Sequence, residues 1–561
     1  MSKTSTPDNA IGGSHAFLSL LQSEGVGHMF GNPGTTELPI MDAMPDFADM
    51  RYVLGLQEAL VVAMADGYAR ASGRLAAANV HVAPGLGNAM GSLYNAKWYG
   101  SPLIITAGQQ EQGHGLTEPL LYDPLVPIAT PMVKWAVEVN RLADMPRIVR
   151  RAAKIAMTPP TGPVFISLPG DILNDRAALD MTQSTRIDTR NRPSDAAIEQ
   201  FAARLLAAKN PVIIAGHELA SDGGFDEAAL LAEALGAPVY QQTVPYAAHF
   251  PSEHSAFMGA LTRDQVKVRD ALAPYDLLIC IGADVLRMSV FSETEPLPHN
   301  MPVVQIGQRD WEMGKNYPAE IALRADIEET LKALIPELKR QGGEARAQHA
   351  ANAIAALADS NWSARRERTA AAAIATVDAR PMNPDLVMLR AVEAMPRNGV
   401  VVEESLLSGR ALLSVLPFRD RQSYYGLASG GIGFALPGAI GIQLAQPDRP
   451  VLAIVGDGSA MYSIQALWTA AHLKLPITYL ITNNRSYRII KERLLAFHGN
   501  DRFIGMDFRD PPLDFVGLAN SMGMNAVQVT APDDVYNAVK QAMASGGPSL
   551  IDAHVADGFG S

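Results

Sequence analysis

Residues 451–487 read VLAIVGDGSAMYSIQALWTAAHLKLPITYLITNNRSY. An apolar, β-branched run ends in Gly456-Asp457-Gly458-Ser459. Helical spacing follows at Tyr462, Ile464, Leu467, Trp468 and Ala471. A second apolar run, Ile477 to Ile481, then stops at Asn483-Asn484. The pattern predicts a strand–helix–strand unit with parallel strands and a right-handed crossover. Asp457 and Asn484 then stand at the carboxyl ends of strands, the edge where α/β sheets bind ligands. Asp457 offers a carboxylate oxygen and Asn484 an amide oxygen. Gly456 and Gly458 let the backbone approach a phosphate, and the helix after Ser459 points its N-terminus at the anion. Such a donor set suits Mg²⁺ together with a diphosphate.

Outward from this unit, bulk properties narrow the class. A chain of 561 residues is expected to form two to four domains. Apolar residues make up 48% and charged residues 19%, which fits a well-buried globular protein. The net charge of −12 argues against nucleic acid or an anionic membrane surface as partner. The one cysteine, Cys280, lies in the apolar run LLICIGA, so it is expected in a buried strand. It cannot form an internal disulfide, and a reducing, cytoplasmic compartment fits. The start, MSKTSTPDNAIGG, lacks the apolar core of a signal peptide. No uninterrupted apolar run reaches the ~18 residues of a membrane span, so none is expected.

Taken in order, residues 1–12 read as a loose tail and Ser14 to Ser23 as a helix. The stretch MFGNPGTTELPI (29–40) combines a strand end, a Pro33-Gly34 turn and a potential helix cap in Thr35-Thr36-Glu37. In YVLGLQEALVVAMADGYARASG (52–73), Glu58 lies among Leu54, Leu56, Leu60, Val61 and Val62. A carboxylate so placed needs a partner or a raised pKa. His81 ends a short strand before a Gly-rich stretch, Pro84 to Gly91, expected to be a turn. With the strands PLIITAGQ and GPVFISLPGDI, residues 13–180 read as one doubly wound α/β domain. Residues 181–195 are polar and aperiodic, a linker.

A second domain, 196–337, alternates parallel-type strands with helices and carries no phosphate fingerprint. His249 and His254 sit in its YAAHFPSEHSAFMGAL stretch. Residues 338–375, rich in Ala, Arg and Glu, read as a helical connector. The third domain, 376–561, contains the strand VVVEESL, a Gly430-Gly431-Ile432-Gly433 turn before a helix, the 451–487 unit and a closing strand, SLIDAHV. The expected class is therefore α/β, with three doubly wound parallel sheets.

These motifs resemble the thiamine-diphosphate-dependent enzymes. The GDG stretch with Asn-Asn is similar to their diphosphate- and metal-binding motif. The resemblance implies Mg²⁺ on Asp457, Asn484 and the Ser486 carbonyl. It also implies cofactor contacts at Gly431, Gly456, Gly458, Ser459 and Tyr487, with Ile432 propping the cofactor into a bent shape. Glu58, ahead of the A-D-G-Y-A-R run 65–70, matches the glutamate that hydrogen-bonds the aminopyrimidine ring and activates it as a general acid/base. The implied architecture is pyrimidine–middle–diphosphate. The cofactor would lie between subunits of a homodimer or homotetramer.

Within the family, FGNPGTTELP, LQEA, His81 with its GNAMG, and GDGSAMYSIQALWTAA resemble the benzoylformate decarboxylases more than the acetolactate synthases. That implies Thr35 as a binder of a substrate carboxylate, and His81 and His254 as proton-transfer groups. The substrate would be a small 2-oxo acid, losing CO₂ without oxidation, with carboligation as a second outcome. One departure stands out: Arg488, Lys491 and Arg493 follow the metal motif. If they line the mouth of the site, they favour a polar or anionic substrate and an acetolactate-synthase-like or 2-hydroxyacyl-lyase reaction.

Overall fold

In the computed structural model, which describes residues 10–183 and 185–559, the apolar runs become buried parallel strands. Most of the tail expected at 1–12 lies outside the described residues. The first sheet holds β1 (His28–Gly31), β2 (Arg51–Leu54), β3 (Ala76–Val80), β4 (Leu103–Gln109), β5 (Ala136–Glu138) and β6 (Val164–Pro169). Their order across the sheet is β2-β1-β3-β4-β6-β5, and all pairings are parallel. Every residue of β3, β4 and β6 is buried, as expected where helices cover both faces.

The second sheet holds β7 (Pro211–Ala215), β8 (Val239–Gln241), β9 (Phe257–Ala260), β10 (Leu277–Ile281), β11 (Val303–Gly307) and β12 (Ile321–Arg324). Its order is β9-β8-β7-β10-β11-β12, a doubly wound sheet whose order reverses between β7 and β10. Cys280 is buried in β10, as expected. At the reversal, Glu218 follows β7, and its Oε2 accepts from Gln308 N at 2.7 Å. Residues 338–375, expected as a helical connector, fall mostly in Ile327–Ala355 and Trp362–Ile374; the first helix starts inside the expected second domain and is interrupted at Gly343.

The third sheet holds β13 (Val400–Glu404), β14 (Tyr424–Gly426), β15 (Val451–Gly456), β16 (Ile477–Asn483), β17 (Asn525–Val529) and β18 (Ser549–His554). Its order, β14-β13-β15-β16-β18-β17, repeats that of the first sheet strand for strand. β15 and β16 pair in parallel from Val451↔Ile477 to Gly456↔Thr482, the unit read from the sequence. The helix between them is interrupted. Only Asp457–Ala460 and Ala466–His472 are helical, and Tyr462 is exposed in the gap.

By contact the chain groups into two compact units. One is the chain up to Ile187 with Leu427–Gln528 and Gln541–Asp552. The other is Asp188–Gly426 with Val529–Lys540 and the residues from Ala553 on. In the first unit, helix α1 (Glu58–Ser72) lies directly on helix α3 (Ala435–Ala445), and helix α2 (Val82–Tyr99) flanks α1. Small residues permit this approach. A Cβ on Gly67 would run into the Gly438 carbonyl, and one on Gly441 into the Met64 carbonyl. Beside the contact, Asp66 and Arg70 form a fully buried ion pair, with Asp66 also accepting from Asn95 and Ser101. Asn95 Oδ1 in turn accepts the backbone N–H groups of Ala428 and Ser429 at 3.1 Å, ahead of the Gly430–Gly433 turn.

Candidate active site

Strand order decides which side chains can meet. β2, β1 and β3 are neighbours, so the segments leaving their C-terminal ends share one stretch of carboxyl edge. After β1 comes a single 3-10 turn, Thr35–Glu37; after β2, Glu58 opens α1; after β3, His81 caps α2. Three of the residues singled out in the sequence thus share one edge, although 46 positions separate the first from the last.

Glu58 is partly buried. Its Oε2 accepts from Asn88 Nδ2 at 3.0 Å. The Gly-rich stretch expected to be a turn is instead the first half of α2. Gly85 has a role there: a Cβ on it would stand 3.0 Å from Glu58 Oε1. Sequence reasoning misses Asn88; its place in GNAMG, one helical turn after the Pro84-Gly85 start, is the available signal.

His81 and Glu37 make the tightest constellation. His81 Nδ1 is 2.8 Å from Glu37 Oε2 and 3.2 Å from Thr36 Oγ1. Glu37 is fully buried and also accepts from Gly34 N (2.9 Å), Gly108 N (2.8 Å) and Thr36 Oγ1 (2.9 Å). The cap read from Thr35-Thr36-Glu37 is present through Gly34, but the same carboxylate reaches across to β4 and to His81. Two glycines make room: a Cβ on Gly34 would strike the His81 ring, and one on Gly108 would strike Glu37. Val82, next to His81, has φ 41°, the left-handed region that a β-branched residue avoids. Such strain, of order 1–3 kcal/mol, persists where surrounding contacts impose it, as at active sites. Thr35 is exposed at the start of the turn.

The second constellation surrounds the GDG motif. Asp457 is buried; Oδ1 accepts from Gly458 N at 2.8 Å, while Oδ2 is buried without a hydrogen-bond partner. Burial pushes its carboxyl up to about 6, opposed by the N–H groups of Gly458, Arg485, Ser486 and Asn484. An orphaned carboxylate oxygen in a cradle of backbone amides is what a hard cation would satisfy. Asn484 Oδ1, the second expected ligand, accepts from Ser486 N at 2.9 Å and Ser486 Oγ at 3.1 Å, so Asp457, Asn484 and Ser486 converge. Arg485 between them has φ 57°, which sharpens the turn after β16. The Tyr487 ring closes on Gly458, where a Cβ would collide with it, and packs edge-on against Phe508 at 4.5 Å. Ser459 is buried, and Gly456 ends β15. In the Gly430–Gly433 turn, Gly430 and Gly433 take φ of 83° and 114°, Gly431 N donates to Ser429 Oγ, and Ile432 is half-buried. The residues present therefore fit Mg²⁺ and a diphosphate.

One expectation changes. The basic residues after the motif are not a free cationic face. Helix α4 (Arg488–His498) buries Lys491, whose Nζ is 2.6 Å from Asp507 Oδ1. Arg488 pairs with Glu492 and Arg493 lies over Phe497. Residues 500–510 fold back and bring Asp507 to the helix, a long-range pairing that sequence spacing could not show. His254 has its ring nitrogens occupied: Nε2 lies 3.2 Å from Glu233 Oε1, and Nδ1 accepts from Ala256 N. It also packs edge-on against Phe250 at 5.4 Å.

Among the described residues, no helix is long and apolar enough to cross a membrane. Comparison with known proteins gives the family. Residues 11–120 match the model of the thiamine pyrophosphate enzyme N-terminal TPP-binding domain, 198–334 the central domain, and 408–553 the C-terminal TPP-binding domain. The chain is 33% identical over 540 residues to benzoylformate decarboxylase of Pseudomonas aeruginosa, covering 96% of this chain and 97% of that one. It is 25% identical over 550 residues to the acetolactate synthase large subunit of Haemophilus influenzae, covering 95% and 92%. A thiamine diphosphate-dependent 4-hydroxybenzoylformate decarboxylase of Rhodococcus jostii RHA1 superposes with a TM-score of 0.87 at 31% identity, over 98% of this chain and all of that one. Mg²⁺ is the usual accompanying metal in this family. Three matching domain models and similarity over nearly the whole length agree: the chain belongs to the thiamine pyrophosphate enzyme family, and thiamine diphosphate is its cofactor.

Proposed function

We propose that this protein decarboxylates a small 2-oxo acid without oxidation. The observation that carries the reading is His81 held at Glu37, on the same strand edge as Glu58. A histidine beside a buried carboxylate is suited to proton transfer during C–C cleavage. The similarity to benzoylformate decarboxylase over 96% of the chain supports it.

In this reading Asp457, Asn484 and the Ser486 carbonyl hold Mg²⁺. Gly456, Gly458, Ser459 and Tyr487 receive the diphosphate, and Gly431 and Ile432 shape the cofactor pocket. The cofactor supplies an electron sink for the pair released with CO₂. Glu58 Oε1, the oxygen that Asn88 does not engage, would hold a proton toward the aminopyrimidine of the bound cofactor. Thr35 receives the substrate carboxylate. His81 Nε2, which has no hydrogen-bond partner among the described residues, would take up a proton from solvent and give it to the substrate carbon that has lost CO₂. His254 remains a candidate for a second proton-transfer group, although its contacts are those of a turn cap. We read 13–180, 196–337 and 376–561 as pyrimidine, middle and diphosphate domains of a homodimer or homotetramer with sites shared between subunits. The lone buried Cys280 fits a cytoplasmic enzyme.

A second reading is C–C bond formation of the acetolactate-synthase or 2-hydroxyacyl-lyase type, supported by the similarity to acetolactate synthases. Pairing of Lys491 with Asp507 removes part of the basis for an anionic substrate. A panel of aliphatic and aromatic 2-oxo acids, assayed for CO₂ and aldehyde with thiamine diphosphate and Mg²⁺, decides. Stoichiometric aldehyde supports decarboxylation; a ligation product with little aldehyde supports the second reading.

A further inference from the structure

We propose that Glu37 is the positioning residue that fixes the tautomer of His81, with the proton on Nδ1 and Nε2 left as the working atom. The proposal rests on the reading of His81 as the proton-transfer group.

The donors around the carboxylate decide the tautomer. An ionised carboxylate only accepts hydrogen bonds. Oε1 of Glu37 receives Gly108 N–H and the Thr36 hydroxyl; Oε2 receives Gly34 N–H at 2.9 Å and faces His81 Nδ1 at 2.8 Å. His81 Nδ1 must therefore be the nitrogen that carries hydrogen. Thr36 agrees independently. Its hydroxyl hydrogen is committed to Glu37, so toward His81 Nδ1 at 3.2 Å it can offer only a lone pair. Both neighbours of Nδ1 are acceptors, and the ring has a single compatible neutral tautomer.

The ring is also held in place. Glu37 is fully buried and tied to β4 through Gly108 and to the Pro33-Gly34 turn through Gly34 N. Gly34 and Gly108 are the residues whose side chains would displace the ring and the carboxylate. The strained Val82 follows His81 directly. A cap alone would need only the Gly34 contact; the reach to His81 and Gly108 goes beyond capping.

The test combines a spectroscopic and a kinetic readout. Nitrogen-15 NMR of histidine-labelled holoenzyme, with the His81 signals assigned by loss in His81→Gln, reads the tautomer directly. The neutral His81 ring is expected to be protonated on Nδ1. In Glu37→Gln the side-chain amide sets an N–H₂ group against a ring of donors. The exclusive Nδ1–H state is then expected to be lost, and kcat to fall about 10- to 100-fold with KM changed less than about twofold. Cofactor affinity should stay near wild type. A wild-type ring protonated on Nε2, or a Glu37→Gln enzyme with unchanged kcat and tautomer, overturns the proposal. If Glu37→Gln does not fold, the wild-type tautomer still decides. The underlying reading fails separately: full activity in His81→Ala would remove His81 from the reaction, while the tautomer measurement would stand.

Discussion

Asn88 Nδ2 lies 3.0 Å from Glu58 Oε2, so the carboxylate at the start of α1 is held by a side chain from the second turn of α2. That contact leaves one oxygen free and restricts the rotamer of the other. Glu58→Gln is expected to lower kcat by roughly two to four orders of magnitude, the usual worth of a positioned acid/base. Asn88→Ala should cost about tenfold through looser positioning. Calorimetric titration with thiamine diphosphate and Mg²⁺ should show binding retained in both; near-normal turnover of Glu58→Gln would sink the assignment.

Asp457 bears on cofactor binding rather than on chemistry. With Oδ2 buried and unpartnered, Asp457→Asn keeps the shape and removes the charge. Affinity for Mg²⁺ with thiamine diphosphate should fall by about 10-fold or more in the same titration. Gly458→Ala should act similarly by forcing the Tyr487 ring aside. Wild-type affinity in both variants would move the metal site elsewhere.

Lys491 and Asp507 form a pair in which one partner is buried and the other is about one-third exposed. Removing the acid takes the ion-pair partner from a buried ammonium. Asp507→Ala is expected to destabilise by about 1–3 kcal/mol, below the full cost of breaking a wholly buried pair because solvent screens Asp507. Arg493→Ala, on the exposed face, should leave both stability and substrate profile unchanged. Chemical denaturation and the 2-oxo-acid panel check the two halves, and a changed substrate preference in Arg493→Ala would restore a cationic mouth.

The α1–α3 crossing depends on missing side chains. Gly441→Ala places a methyl against the Met64 carbonyl, where no flexible side chain can yield. A loss of about 1–3 kcal/mol or more is expected from overpacking. Gly499→Ala, with open space around its Cβ position but φ 59°, should cost about 1 kcal/mol through backbone strain alone. Equal effects from the two variants would contradict close packing as the cause.

Burial pushes His249 down to about 3, and burial with the nearby Arg309 charge lowers His217 well below 6.5. Both are neutral when folded, whereas the unfolded chain takes up protons below about pH 6.5. Their stabilising contribution is therefore complete above about 6.5 and is lost as pH falls toward 3. The slope is about 1.4 kcal/mol per pH unit for each histidine. Relative to wild type, His249→Leu should gain unfolding free energy as pH falls from about 6.5 to about 5, a difference that the buried carboxylates Glu218, Asp222 and Asp457, raised in both proteins, leave unchanged. An identical pH dependence in wild type and variant would refute it.

Much of this site is legible in the sequence alone. The GDG and Asn-Asn positions are visible because they end two apolar runs one βα repeat apart. Glu58 is visible because a carboxylate stands out in an apolar segment. Glu37 is half visible: its link to Gly34 is three residues long and follows from capping rules, while its link to Gly108 spans 71 positions. The pairing of Lys491 with Asp507 is hidden because the 500–510 segment has no periodicity to announce where it folds.

Local chemistry therefore determined the strands, the turn glycines and the types of ligand atoms, since these depend on neighbours within one βα repeat. Tertiary structure decided which of these residues meet. Strand order brought Glu37, Glu58 and His81 to one edge, and buried donors left His81 a single tautomer. It also turned an apparent cationic face into an internal ion pair, because charge pairing is a property of distance in space rather than along the chain.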